Sequence, residues 1–237
     1  MFQLRSRLTV ALAGAIVAAA ALAVPVGAQA SDGVVWVAHG IPGVRVDVCV
    51  NGDAARTNFR YGARFRAEVP ALTALRVKVR AHVPDAACSG EVLIRRILSV
   101  EPGANVTALA TLRANKPTIV TWSNSPLLTA GAEPSTTVTV HHEAQAGPML
   151  FWIVSGGFVP VGLGPIGIQV GRYAEIGPIP VVPGPNVYAA TPFNGQTPLV
   201  NPQIRVFADL TDYQLILVGT NAENYRWIRF GEAAPVG

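Results

Sequence analysis

Residues 34–52 read VVWVAHGIPGVRVDVCVNG, two apolar runs separated by a loop that contains proline and glycine. In the second run Val46, Val48 and Val50 alternate with Arg45, Asp47 and Cys49, which is the period-2 pattern of a half-buried strand. Asn51-Gly52 then gives the strongest hairpin signal in the chain. The stretch predicts two β-strands and a tight turn.

The same alternation recurs along the rest of the chain. Residues 75–83, LRVKVRAHV, place aliphatic residues on one face and basic residues on the other. Further candidate strands lie at 92–100, 105–112, 136–142, 149–155, 186–193, 203–210 and 213–220. The 23 glycines and 19 prolines are spread between such runs, and no helical period of useful length follows residue 30. The sequence predicts an all-β protein.

The chain divides into two halves of similar plan and opposite charge. Residues 31–124 carry twelve Arg or Lys against seven Asp or Glu, whereas residues 125–237 carry four against seven. The spacing from His39 to Asn51-Gly52 resembles that from His142 to Ser155-Gly156. We therefore predict two tandem antiparallel β-sandwich modules, at 31–122 and 137–230, with a linker at 123–136 and a C-terminal tail at 231–237.

The first thirty residues have the form of a signal peptide. Arg5 and Arg7 precede a sixteen-residue apolar stretch, and Ala28 and Ala30 give the small-x-small cleavage pattern. The alternative is a retained membrane anchor, but the stretch is shorter than the roughly 20 residues of a spanning helix. We expect cleavage near Ala30, no stable transmembrane anchor, and a secreted or extracytoplasmic location.

Cysteine usage agrees with export. Cys49 and Cys88 are the two cysteines of the chain, and an even pair in an exported protein is most simply a disulfide. A bridge between them would take Cys49 out of consideration as a nucleophile.

The run VAHGIPGVRVDVCVNG resembles the opening of the bacterial domain-of-unknown-function 4397 family. ALRVKVRAH and ILSVEPGANVTALAT are similar to that family's later strands and its E-x-G hairpin, and residues 141–220 resemble it more loosely, without a counterpart of Asp47. The resemblance implies two exported modules with an Ig-like β-sandwich fold, the second more divergent. It implies no catalytic residues.

His39, Asp47 and Cys49 are the candidates for nucleophilic catalysis. A catalytic trio needs a thiolate within hydrogen-bond reach of an imidazole that a third group orients. The structural alternative is that Cys49 bridges Cys88, Asp47 caps or pairs locally, and His39 closes a strand. We favour the structural alternative and predict no catalytic residues, with an envelope hydrolase that uses His39 and Asp47 as the competing hypothesis.

Metal and cofactor sites are not predicted. His141 and His142 are adjacent, so on a strand they face opposite sides, and no His-x-His or Cys-x-x-Cys spacing brings further ligands. Phosphate-loop, nucleophile-elbow and zinc-protease motifs are absent from the sequence.

A basic surface is the strongest candidate binding feature. Arg76, Lys78 and Arg80 share one strand face, and Arg64 and Arg66 lie in the preceding segment. We expect these five residues to form one patch, flanked by Phe59, Tyr61 and Phe65. One interpretation is a solvated face that prevents edge aggregation. The functional interpretation is attachment to an anionic envelope polymer or lipid surface.

The sequence thus favours an exported, non-catalytic binding or structural module of the cell envelope. Export argues against nucleic acid as a partner, despite the net charge of +4. The third hypothesis is self-association, in which the basic first module of one copy docks on the acidic second module of another.

Overall fold

The computed structural model describes residues 31–70, 73–124, 136–155, 167–194 and 197–233. These residues form sixteen β-strands: β1 Gly33–His39, β2 Val46–Val50, β3 Asp53–Phe59, β4 Arg64–Val69, β5 Thr73–Ala81, β6 Val92–Val100, β7 Asn105–Arg113, β8 Lys116–Ser123, β9 Thr136–His142, β10 Met149–Ser155, β11 Ile168–Val170, β12 Glu175–Val181, β13 Gly184–Pro192, β14 Val200–Phe207, β15 Thr211–Val218 and β16 Arg226–Ala233. The predicted all-β fold is confirmed.

The first module is a sandwich of two four-stranded sheets. One sheet has the order β4-β1-β7-β8, and the other has the order β3-β2-β5-β6. Alternate residues of β5 behave as the sequence predicts, since Leu75, Val77 and Val79 are buried between the sheets while Arg76 is exposed. Asn51 and Gly52, both with positive φ, make the predicted turn between β2 and β3.

The second module repeats this topology strand for strand. Its sheets have the orders β12-β9-β15-β16 and β11-β10-β13-β14. In both modules the first strand pairs antiparallel with the fourth and parallel with the seventh. The parallel pair departs from the antiparallel prediction, and it is possible because a long connection separates the two strands in sequence.

His39 and His142 occupy the same place in the two copies. The backbone N–H of each histidine donates to the carbonyl of the residue just before the fourth strand of its module. This residue is Ala63 for His39 and Ala174 for His142. Each ring also bonds a carbonyl five residues later, at 3.0 Å to Val44 and 2.9 Å to Gly147. The predicted repeat is therefore present at the level of single hydrogen bonds.

The two sandwiches stack into four layers. The outer face of sheet β4-β1-β7-β8 packs against the outer face of sheet β12-β9-β15-β16 through Ala38, Leu109, Ile216, Val218, Ile228 and Phe230. Trp36 of β1 stacks on Phe230 of β16 with ring centroids 4.8 Å apart. β15 is consequently buried at every residue, because one face meets its own core and the other meets the first module.

Polar contacts surround this apolar interface. Arg113 of β7 makes two hydrogen bonds to the Glu143 carboxylate, at 2.6 and 3.0 Å. The Tyr61 hydroxyl donates to the Asn224 carbonyl, and Arg226 donates to the Tyr61 carbonyl at 3.0 Å. The Arg113–Glu143 pair thus joins a basic residue of the first half to an acidic residue of the second half within the same chain.

The predicted boundaries can be compared with the strands only in part. β8 ends at Ser123 and β9 begins at Thr136, whereas the predicted signal peptide and most of the predicted linker lie outside the described residues. β16 extends to Ala233, into the predicted tail. No helix capable of crossing the membrane occurs in the described ranges.

Candidate functional site

Cys49 and Cys88 form the predicted disulfide. Their Cα atoms are 6.1 Å apart, and the Cys49 side chain is buried under the loop that joins β5 to β6. A bridge that closes 39 residues stabilises a fold by about 4 kcal/mol in the chain-entropy account. Its presence indicates an oxidising, extracytoplasmic environment. Cys49 is therefore not a free nucleophile.

Asp47 organises the backbone around this disulfide. One carboxylate oxygen, Oδ1, accepts from the Asn58 amide at 2.9 Å and lies 2.8 Å from His82 Nδ1, while Oδ2 accepts from the Cys88 amide at 3.0 Å. Asn58 and Cys88 both have positive φ, so Asp47 holds two backbone positions that side chains rarely adopt. Burial opposes ionisation, but the hydrogen bonds from Asn58, Cys88 and His82 together lower the pKa of Asp47.

His39 is buried and bonded on both ring nitrogens. Nε2 donates to the Val44 carbonyl, and Nδ1 lies 3.4 Å from the Ile41 amide as its acceptor. Burial lowers the pKa of His39, in opposition to the bond to Val44, so the neutral ring with the proton on Nε2 fits both contacts. The partners of His39 and Asp47 are different groups, and the two side chains are not hydrogen-bonded to each other.

The histidine pair divides between two environments, as expected for neighbours on a strand. His141 faces the module junction, where it stacks on Trp122 at 4.1 Å and bonds Gln214 at 2.8 Å. His142 bonds the Gly147 carbonyl instead. Across the described residues, no group of three or more His, Cys, Asp or Glu side chains is arranged to hold a metal ion.

The basic row on β5 lies on the outer face of sheet β3-β2-β5-β6. Arg76 is exposed, Lys78 is half-buried, and Arg80 is tied by a 2.7 Å hydrogen bond to the Gly90 carbonyl. Lys78 stands directly opposite Arg95 of β6, and Arg76 stands opposite Ile97, which is 65% exposed. Arg95 extends this row, although the sequence analysis did not include it.

Arg64 and Arg66 do not join this row, so the prediction of a single five-residue patch is wrong. They lie on β4, which pairs with β1 in the other sheet of the sandwich. The aromatic flank is also wrong. Phe59 is buried in the core, Phe65 packs beside it, and Tyr61 contacts the second module. The turn at residues 60–63 carries the chain between sheets, which the residue pattern alone did not indicate.

A polar groove of about 570 Å³ runs along the junction of the modules. Its walls include Arg96, Arg113, Trp122, His141, Tyr173 and Glu175. The Arg113 guanidinium lies 4.8 Å from the Tyr173 ring centroid, and the Ala114 amide donates to the Tyr173 hydroxyl at 3.2 Å. No local pattern in the sequence indicates this groove, because one wall comes from residues 96–122 and the other from residues 141–175, which meet only where the two modules pack together.

Comparison with protein-family models and with curated proteins finds no match for this chain. The resemblance to the domain-of-unknown-function 4397 family therefore stays a prediction, and the site is described by its own geometry.

Proposed function

We propose that the protein is an exported, non-catalytic binding module of the cell envelope that attaches to an anionic polymer through the first module. Export by cleavage near Ala30 is part of this proposal. The observation that carries it is the basic row on the outer sheet face, extended by Arg95. Arg80 is tied to the Gly90 carbonyl, so the residues offered to a partner are Arg76, Lys78 and Arg95. The disulfide supports the extracytoplasmic setting.

The geometry of the basic row favours an anionic partner. Directly opposite residues of antiparallel strands have Cβ atoms about 5 Å apart, and like charges there repel. Lys78 and Arg95 are such a pair, and within the described residues no acidic side chain forms an ion pair with either. A polyanion that contacts both would relieve this repulsion.

The side chains considered for catalysis have structural roles that support the non-catalytic proposal. Asp47 is committed to three donors, His39 is bonded on both nitrogens, and Cys49 is in a disulfide. Nothing in these contacts favours the envelope hydrolase, and self-association between copies also remains a hypothesis.

The test is salt-dependent binding of the purified protein to an anionic polysaccharide column. We expect retention at low ionic strength and elution near physiological salt, because exposed charges are strongly screened there. The R76S/K78S/R95S variant should lose retention. The matched control is R60S/R64S/R66S, which removes the same charge from the opposite side of the module and should retain binding.

Three outcomes would contradict the proposal. Wild type that flows through at low salt would make the row a solvated surface only. Equal loss in both triple variants would indicate a net-charge effect without a site. Binding to acidic lipid vesicles without binding to the polymer would replace the polymer with a membrane surface.

A further inference from the structure

An apolar cavity of about 230 Å³ lies between the two sheets of the first module. Its lining consists mainly of valine and alanine side chains, among them Val46, Val48, Val77, Ala108 and Ala110. Protein interiors are normally packed as densely as organic crystals, with few voids larger than a water molecule. A space of this size within a small sandwich core therefore requires an explanation.

The cavity reaches the surface at the seam between β3 and β4. These edge strands belong to different sheets, so no ladder of backbone hydrogen bonds closes the seam. Ala55 of β3 and Glu68 of β4 are exposed and also line the cavity, and the small side chain of Ala67 lies beside them. Phe59 and Phe65, in edge-on contact at 5.3 Å, wall off part of the same seam.

In the second module, which has the same strand topology, larger side chains fill the corresponding part of the core. Strand register aligns the two copies, since His39 pairs with Ala110 where His142 pairs with Leu217, and Val48 pairs with Val79 where Phe151 pairs with Ala190. At five aligned core positions the second module has the larger residue: Met149 for Val46, Phe151 for Val48, Tyr188 for Val77, Leu215 for Ala108 and Leu217 for Ala110.

The reverse substitution occurs at fewer of the positions around the cavity. Four residues of the first module align with smaller ones in the second, namely Phe59 with Val170, Phe65 with Ile176, Leu75 with Asn186 and Val79 with Ala190. The five enlargements in the second module still outweigh these four reductions in side-chain size, and the five smaller residues of the first module all line the cavity.

We propose that this cavity binds the alkyl chain of a single free amphiphile, such as a fatty acid, with its polar head at the β3–β4 seam. An apolar cavity of roughly 150 Å³ is already large enough for benzene. A methylene is similar in size to a water molecule, which takes about 30 Å³, so the cavity has room for on the order of eight chain carbons. The walls offer almost no polar partners, which excludes a sugar or a peptide segment.

The test is calorimetric titration of the disulfide-bonded protein with sodium alkanoates of six to fourteen carbons, each below its micelle concentration. Each methylene that enters an apolar site strengthens binding about fourfold. We expect affinity to rise at this rate up to about nine carbons, eight in the cavity and the carboxyl carbon at the seam, and then to level off. Absence of binding by every alkanoate would overturn the proposal, as would an affinity that rises without a plateau, which indicates surface adsorption.

Two variants that borrow residues from the second module test the location. Val48→Phe and Ala108→Leu should each reduce alkanoate affinity at least tenfold while the melting temperature stays the same or rises. The control I204S/V206S changes two exposed aliphatic residues on β14 and should bind as wild type does. Wild-type affinity in a folded Val48→Phe or Ala108→Leu protein, or loss of binding in the control, would place the chain elsewhere.

This inference goes beyond the proposed polymer-binding surface, and the two can fail separately. R76S/K78S/R95S should bind alkanoates as wild type does, because the basic row faces away from the cavity. Co-sedimentation with neutral phospholipid vesicles is not expected. If the protein binds such vesicles and no free alkanoate, a membrane lipid chain rather than a free amphiphile would be the ligand, and the proposal would be wrong.

Discussion

Asp47 and the histidines show what buried polar side chains do in this molecule. Asp47 satisfies two backbone amides in left-handed conformation and orients His82. His39 and His142 each secure the loop that follows the first strand of their module. Residue types that the sequence analysis considered for catalysis therefore hold turns in place.

The Asp47→Asn substitution tests this role. An asparagine offers one acceptor oxygen where the carboxylate offers two, so at least one of the Asn58 and Cys88 amides loses its partner. We expect the free energy of unfolding to fall by about 1.5–3 kcal/mol, the range for hydrogen bonds to a charged group. The control Asp53→Asn, at an exposed position on β3, should change stability by less than about 0.5 kcal/mol. Equal effects in urea unfolding would contradict the assignment.

Buried histidines also predict an acid-sensitive fold. Burial lowers the pKa of His39, His141 and His142 below 6.5, in opposition to hydrogen bonds that raise it. Between the lowered folded pKa and 6.5 the unfolded chain binds more protons than the folded chain, so stability falls as pH drops. The slope is at most about 1.4 kcal/mol per pH unit for each histidine.

Urea unfolding at pH 7.5 and pH 5.5 measures this effect. The Asp47 carboxylate stays ionised at both values, because its pKa is lowered from 3.8. Replacement of His39 and His142 by Gln keeps a donor for the Val44 and Gly147 carbonyls but removes the titration, and should flatten the dependence. Identical stability of the wild type at both pH values would refute the prediction.

At the scale of elements, alternation was a sufficient signal for strands with one buried face. The strands β5, β6, β7, β9, β10, β13, β14 and β15 lie where the sequence predicted strands, with differences of at most three residues at either end. The Asn51-Gly52 turn, the Cys49–Cys88 bridge and the repeat are also confirmed. The turn and the repeat follow from the spacing of residues along the chain. The bridge follows because two cysteines allow only one pairing within the chain.

Other elements carry little signal because they lie at edges. β3 is exposed at nearly every residue, and β12 contains Gly177 and Pro178 at an irregular pairing with β9, so neither alternates clearly. The sequence pattern also did not indicate which strands belong to the same sheet. Glu101-Pro102-Gly103 resembles a hairpin turn in the sequence, yet it carries the chain from β6 in one sheet to β7 in the other. The separation of Arg64 and Arg66 from β5 has the same origin.

At the scale of the whole molecule, an apolar interface joins the two modules, in addition to the core inside each sandwich. Leu109 and Ile216 are fully buried there, and the rim is tied by Arg113–Glu143 and by Tyr61 and Arg226. Both sheets at the junction are thus covered on two faces. We infer that the two modules act as one body, in which the second module braces the sheet behind the cavity of the first.

The most direct test is to insert a specific protease site between residues 125 and 135, cut the folded protein, and measure its mass by size-exclusion chromatography with light scattering. We expect the two halves to co-elute at the mass of the uncut chain in native buffer. The Ile216→Asp variant, which places a charge in the interface, should separate into halves after the same cut, whereas the exposed Ile97→Asp control should not. Separation of the wild-type halves would contradict the claim and leave two independent modules joined only by the chain.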